Sequence, residues 1–191
     1  MSKYTYGEEV EYSLDLLQIK DKNKVKQFTC GNSKLDAFIQ NDIIPGDEVI
    51  NEDGLIFKAE DNQNGKIIAI ISIAVSGIVF TQTNYMKLLP SVKIDIFAVD
   101  VDYQKMHYNE ESANDKEPDN HFYLSDSILA KVIQHCKEIS EKMALVEYIL
   151  LYADRKAYRF YERNGFQNFE AYMEKENNME INQNIPMYMK L

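Results

Sequence analysis

Tyr161 and Asp95 are the two side chains of this 191-residue sequence whose types and settings suit a proton transfer. A phenol has an unperturbed pKa of about 10, so Tyr161 is protonated at neutral pH and can donate to a departing anion such as a thiolate. The carboxylate of Asp95 can take a proton from an ammonium group, directly or through a water. Each has a structural alternative. Tyr161 can pack under a sheet with its hydroxyl satisfied by a neighbour, and Asp95 can form an ion pair with Lys93 or with a neighbouring strand. Other chemistries lack their residues. His107, His121 and His135 have no metal-ligand spacing. There is no Gly-x-Ser-x-Gly elbow and no Gly-Lys-Ser/Thr phosphate loop. Cys30 and Cys136 are isolated. His135 adjoins Cys136, but successive helical residues point about 100° apart, which makes a poor chelator. Free thiols in a reducing cytoplasm are the simplest account.

The elements that must position these residues can be read from period and punctuation. Tyr161 falls in Ala157-Tyr-Arg-Phe-Tyr-Glu-Arg-Asn-Gly-Phe166, after the apolar run Tyr148–Ala153. Ala157, Phe160, Tyr161 and Asn164 recur at helical spacing and share a face. Gly165 stands where the helix needs a left-handed end. A strand is expected from Phe166 to Met173. Asp95 lies on an expected strand from Val92 to Asp100, preceded by Leu89-Pro90. Alternation puts it with Phe97 and Val99, opposite Ile94 and Ile96. Upstream, strands are expected over Val10–Ile19, Gly54–Glu60 and Ile67–Val75, with Asn64-Gly65 a hairpin signal. A helix after Asn32 or Ser33 would bury Leu35, Phe38 and Ile39. Residues 102–121 are polar and show no period, which reads as a flexible acidic loop. The strongest helix follows, from about Ser125 to Lys142, with Ile128, Leu129, Val132, Ile133, Cys136, Ile139 and Met143 on one face. The last strand is expected over Met187–Leu191. This order predicts a mixed sheet with helices on both faces.

The segment Ala157–Phe166 resembles the Ala-x-x-Phe-Tyr-x-x-x-Gly-Phe signature of the GCN5-related N-acetyltransferases, the GNAT superfamily. Phe28 to Ile39, with Leu35-Asp36-Ala37-Phe38-Ile39, is similar to one branch of that family. The element order agrees over nearly the whole chain. The resemblance implies a GNAT-like α/β fold in one domain, residues 1–191, with a polar flexible loop at about 102–122. The central sheet would be mixed, mostly antiparallel, and of about six to seven strands. It implies transfer of an acetyl group from the co-substrate acetyl-CoA to a primary amine of a small molecule or protein, with Tyr161 protonating the coenzyme A thiolate. It also implies that Phe97, Ala98 and Val99 expose backbone to the pantetheine arm and that Gln104 leads into the pyrophosphate loop. That loop normally reads Arg/Gln-x-x-Gly-x-Gly/Ala, because glycines and a helix N-terminus favour phosphate. Here no glycine occurs between Gly77 and Gly165. If Leu124 to Ser127 replace the glycine turn, roughly 18 residues are inserted after Gln104. Ser125, Asp126 and Ser127 then become the cofactor-binding positions, with Lys105 or Lys131 nearby. Asp126 would compete with a pyrophosphate for the exposed N–H groups. Arg155, Lys156, Arg159 and Arg163 form a basic side that either meets the adenosine 3′-phosphate, as Arg159 would, or is a solvated face.

Composition bounds the partners. With 21 Lys and Arg against 31 Asp and Glu, the formal net charge is −10. An acidic surface repels phosphate backbones, which disfavours nucleic acid, including the aminoacyl-tRNA that toxins of the resembled branch acetylate. It suits a cationic amine, and equally serves solubility alone. No run reaches the roughly 18 apolar residues of a membrane helix, and the N-terminus has no apolar signal core, so a cytoplasmic protein is expected. Members of the resembled family are often dimers, but no stripe in this sequence marks an interface. Two readings follow: an acetyl-CoA-dependent N-acetyltransferase, or a catalytically silent GNAT-fold protein that binds a protein partner.

Overall fold

The structure, a computed structural model, describes residues 10–46, 48–49, 54–82, 85–117, 120–142, 146–173 and 183–191, without the side chains of 80–82 and 85. In chain order the elements are β1 (Tyr12–Leu16), α1 (Lys22–Val25), α2 (Ser33–Asn41), β2 (Leu55–Asp61), β3 (Ile67–Gln82), β4 (Tyr85–Val99), α3 (Glu110–Asn114), α4 (Leu124–Lys142), β5 (Tyr148–Ala153), α5 (Tyr158–Arg163), β6 (Gln167–Asn168) and β7 (Ile185–Lys190). The strands form one seven-stranded sheet in the order β1-β2-β3-β4-β5-β7-β6. It is mixed: β4 and β5 are parallel, from Ser91↔Tyr148 to Ile94↔Leu151, while β5–β7, β6–β7 and β1–β2 are antiparallel. The expected mixed sheet of about six to seven strands is therefore present.

By its contacts the chain divides into two compact units, residues 1–72 with 96–131, and residues 73–95 with 132–191. In the first unit Leu17, Val25, Phe28, Ile39, Ile43, Ile56, Ile67, Ile70 and Ala98 form a core, with Leu35 and Ile96 packed against it. Asn32 caps α2 as the sequence predicts, its Oδ1 accepting from the Leu35 N–H at 3.3 Å. Ile39 is buried, but Phe38 is 43% exposed, so the expected apolar stripe of α2 is narrower than its spacing suggests. Asp36 explains part of the local motif. Its carboxylate accepts from Thr29 Oγ1 and from the N–H groups of Cys30 and Gly31, which fixes the turn before α2. Asn64-Gly65 makes the expected hairpin turn, with Gly65 at φ +70° and the Asp61 N–H on the Lys66 carbonyl.

In the second unit Ile149, Leu151, Phe166 and Met187 are buried, with Tyr161 among them. On α4, which continues from the first unit, Ile128, Leu129, Val132 and Cys136 are buried and Ile133 and Ile139 half-buried, as expected; Met143 lies outside the described residues.

Three expectations are corrected. β3 continues to Gln82 rather than ending at Val75, and β4 begins at Tyr85 rather than Val92, so Pro90 lies inside a strand. The Pro90 carbonyl accepts from the Glu147 N–H just before β4–β5 pairing begins, a place where a residue without an N–H is tolerated. The strand expected over 166–173 is only Gln167–Asn168. The Asn168 side chain takes the Glu170 N–H at 2.7 Å and turns the chain into a 3-10 segment, Glu170–Tyr172. The segment after Asp102 is not without periodic structure. It holds α3, capped by Asn109, and its ends are joined by Tyr108 N–H to Phe122 O and Leu124 N–H to Met106 O, both 2.9 Å. Pro118 and Asp119 lie outside the described residues.

Candidate cofactor and proton-transfer residues

Tyr161 sits on α5, a helix of six residues, and its place is set by how that helix ends. The Phe166 N–H reaches the Tyr161 carbonyl at 3.1 Å and the Gly165 N–H reaches the Glu162 carbonyl at 3.0 Å. This is the paired bonding of a Schellman motif, with Gly165 at φ +90° as its left-handed residue. Phe166 is thereby folded back under the helix, with its ring 5.8 Å from that of Tyr161, and Phe160 flanks the phenol at 5.0 Å. The Tyr161 side chain is 8% exposed as a residue, and burial pushes its phenol well above the ordinary tyrosine value. It is a phenol held firmly in its protonated form.

Asp95 is on β4 in the same unit. It is exposed, not buried as its apolar strand implied, and its carboxylate pairs with Lys93 Nζ at 2.5 Å. Lys93 also lies 5.4 Å from the centre of the Tyr152 ring. The reason is alternation: Ile94 points into the core, so Lys93 and Asp95 share the opposite face. The ion pair foreseen as the plain alternative for Asp95 is present.

In the first unit lie the positions expected to meet a cofactor, and Val99 and Gln104 among them have protein partners. Ala98 is in the core, Val99 is buried and Phe97 half-buried. The Val99 carbonyl accepts from Gln104 Nε2 at 2.9 Å, and the same amide donates to the Cys30 carbonyl at 2.7 Å. Gln104 thus ties the end of β4 to the turn that precedes α2.

The first turn of α4 is closed in the same way. Asp126 is 2% exposed, and its Oδ2 accepts from the Tyr123 N–H at 2.8 Å. This is the reverse half of a capping box. The Leu124 N–H goes to Met106 O, and the Asp126 and Ser127 N–H groups go to Tyr123 O. Ser125 is buried, and Ser127 Oγ lies 2.8 Å from the Tyr12 hydroxyl. Lys131 Nζ sits 3.7 Å over the Tyr12 ring. A pyrophosphate needs N–H donors turned outward and no resident anion. The Tyr123, Leu124, Asp126 and Ser127 N–H groups of this turn are engaged and a carboxylate lies among them, so its residues fit a pyrophosphate poorly as they stand. Tyr12, missing from the sequence expectations, organises this corner. Its partner Ser127 is 115 positions away, and nothing in local spacing announces the contact.

Arg159 is exposed and pairs with Glu162 at 2.6 Å, while Arg163 lies 5.3 Å over the Phe160 ring. Among the described residues no group of His, Cys, Asp and Glu could hold a metal ion. Among them, too, no helix is long and apolar enough to cross a membrane.

No protein-family profile matches the chain, and no curated protein does. Solved structures match its fold. The chain is similar to a bacterial toxin at 19% identity and TM-score 0.66, covering 94% of this chain and 90% of that one. It is similar to a tyrosine-to-phenylalanine mutant of the AtaT toxin, bound to the C-terminus of the antitoxin AtaR and acetyl-CoA, at 15% identity and TM-score 0.60, covering 94% and 92%. It is also similar to the PaiA N-acetyltransferase of Thermoplasma acidophilum in complex with coenzyme A, at 13% identity and TM-score 0.54, covering 95% and 99%.

Proposed function

We propose that this chain is an N-acetyltransferase that moves an acetyl group from acetyl-CoA to a primary amine of a small molecule or protein. The observation that carries the reading is Tyr161: a buried, protonated phenol fixed by a glycine-terminated helix in a GNAT-like fold. Solved structures of that fold, bound to acetyl-CoA or coenzyme A, support it. Acetyl-CoA supplies the activated acyl group and a thiolate leaving group. Tyr161 supplies the proton that the thiolate needs. Asp95 takes the proton that the acceptor ammonium must lose, directly or through a water, once Lys93 gives up its place. The net charge of −10 favours a cationic acceptor and disfavours a nucleic-acid one.

A second reading has its own observation. The closed first turn of α4, with Asp126 inside it, favours a GNAT-fold protein that has lost its cofactor and binds a protein partner. Calorimetric titration of the purified chain with acetyl-CoA, with coenzyme A alongside, separates the two. Micromolar binding supports the transferase. No heat at millimolar ligand removes it and leaves the binding module.

A further inference from the structure

His107 and His121, which the transferase reading does not use, meet where the segment before α4 closes on itself. Their ring centres are 4.9 Å apart, edge to face, and the Tyr123 ring lies against His107 at 4.7 Å. His107 and Tyr123 form a single antiparallel bridge. Beside that bridge the Tyr108 N–H reaches the Phe122 carbonyl and the Leu124 N–H reaches the Met106 carbonyl. Residues Met106–Tyr108 and Phe122–Leu124 thus make a clasp, with α3 between its two arms. His107 is its buried centre, at 4% exposure.

The surroundings of His107 disfavour a charge on it. Burial and the like charge of His121 both hold its pKa below the ordinary histidine value. His121 itself turns outward. Its Nε2 donates to the Asp115 carbonyl at 3.1 Å, and its Nδ1 stands 3.5 Å from the Tyr123 hydroxyl. Glu110 and Glu111 of α3 are exposed, as is Asp115 beyond its end. On α4 the Asp126 carboxylate accepts from the Tyr123 N–H.

We propose that His107 is a pH-sensitive latch, whose protonation in mild acid opens the clasp between Met106–Tyr108 and Phe122–Leu124. The sign follows from the two states. In the open segment the imidazole is hydrated and titrates near 6.5, while in the closed one it resists the proton. Above that value both states are neutral and closure has its full strength. As the pH falls the open state takes the proton more readily, so closure weakens. At pH 5.5 an open-state imidazole is about ten parts protonated to one, so the closed-to-open ratio falls by up to about tenfold. Opening frees the Leu124 N–H, at the start of α4, from the Met106 carbonyl. The latch stands whether or not the chain binds acetyl-CoA, and its test uses no ligand.

Amide hydrogen exchange of the full chain at pH 7.5 and pH 5.5, with each rate divided by its intrinsic value, reads the clasp directly. Protection of the Tyr108 and Leu124 amides should fall about three- to tenfold at the lower pH. His107→Phe keeps a ring against Tyr123 but takes no proton, and its protection should stay within about twofold across the same range. If that variant does not fold, as circular dichroism would show, His121→Gln removes the like charge and should make the fall smaller than in the wild type. Equal protection of the wild-type amides at both pH values overturns the proposal. So does a folded His107→Phe, or a His121→Gln, whose protection falls as much as that of the wild type.

Discussion

Replacing Tyr161 by Phe separates the phenol's chemical role from its packing, because the ring stays and only the hydroxyl goes. The structure gives a thermodynamic signature that needs no substrate. Burial raises the folded-state pKa of Tyr161 above the unfolded value of about 10. Below pH 10 both states hold the proton and the group adds no pH dependence. Above it the unfolded chain loses the proton while the folded chain keeps it, so stability falls with rising pH. The slope approaches about 1.4 kcal/mol per pH unit. At pH 11 the wild type should therefore have lost about 1.4 kcal/mol through this residue alone. Tyr161→Phe removes that term. Tyr12 and Tyr103, whose phenols are also raised by burial, titrate in both proteins and cancel in the difference. Urea unfolding of both proteins between pH 8 and pH 11, all within about three units, measures it. The stability gap at neutral pH should narrow by about 1.4 kcal/mol at the alkaline end. Parallel pH profiles would show a hydrated phenol with an ordinary pKa, and the account of Tyr161 as a firmly protonated group would fail. The same protein carries the catalytic test. If Tyr161 is the acid for the thiolate, turnover drops about 10²- to 10⁴-fold with the fold intact. An unchanged rate removes it from the mechanism.

Two further predictions follow from the ends of α5 and α4. Gly165→Ala places a Cβ at φ +90° and 3.3 Å from Met189 Cε, so it should cost about 1–2 kcal/mol, seen as a melting point lowered by roughly 2–8 °C. An unchanged melting point would mean that the helix can end another way. Asp126→Asn keeps an acceptor for the Tyr123 N–H but removes the charge at the start of α4, and should tighten acetyl-CoA binding by about two- to fivefold in a titration. Equal or weaker binding would show that the carboxylate does not oppose the ligand.

Local chemistry was legible in the sequence, and long-range pairing was not. Gly165 announces the end of α5 because only a left-handed residue closes that helix onto Phe166, and Asn32 and Asn64-Gly65 are signals of the same local kind. The buried face of α4 is legible because four of its residues recur at helical spacing over about two and a half turns. The length of the β3–β4 hairpin was hidden by Ser76, Gly77 and Pro90, which interrupt an apolar run without interrupting a ladder. The loop before α4 was hidden for another reason. It is closed by Tyr108 and Phe122, rings 5.4 Å apart across a polar stretch with no period of its own. Asp95 was misplaced because an apolar strand suggests burial on both faces, whereas β4 has one open face there.

The closed turn of α4 changes what a binding measurement means. A helix that meets phosphate in a glycine loop offers its N–H groups without rearrangement. Here the Leu124 N–H must leave Met106 O, and the Tyr123 N–H must leave the Asp126 carboxylate, before either can face a phosphate. Each exchange trades one hydrogen bond for another, with a net value of about 0.5–1.5 kcal/mol per bond and more for the one to a charged group. The desolvated carboxylate must also tolerate an anion beside it. A pyrophosphate bound at this turn would thus give up most of what a preformed loop contributes, and the affinity would rest on the pantetheine and acyl portions of the ligand. Acetyl-CoA should then bind only slightly more tightly than an acetylated pantetheine lacking the nucleotide. A nucleotide that contributes a large share of the affinity would show that the turn opens on binding.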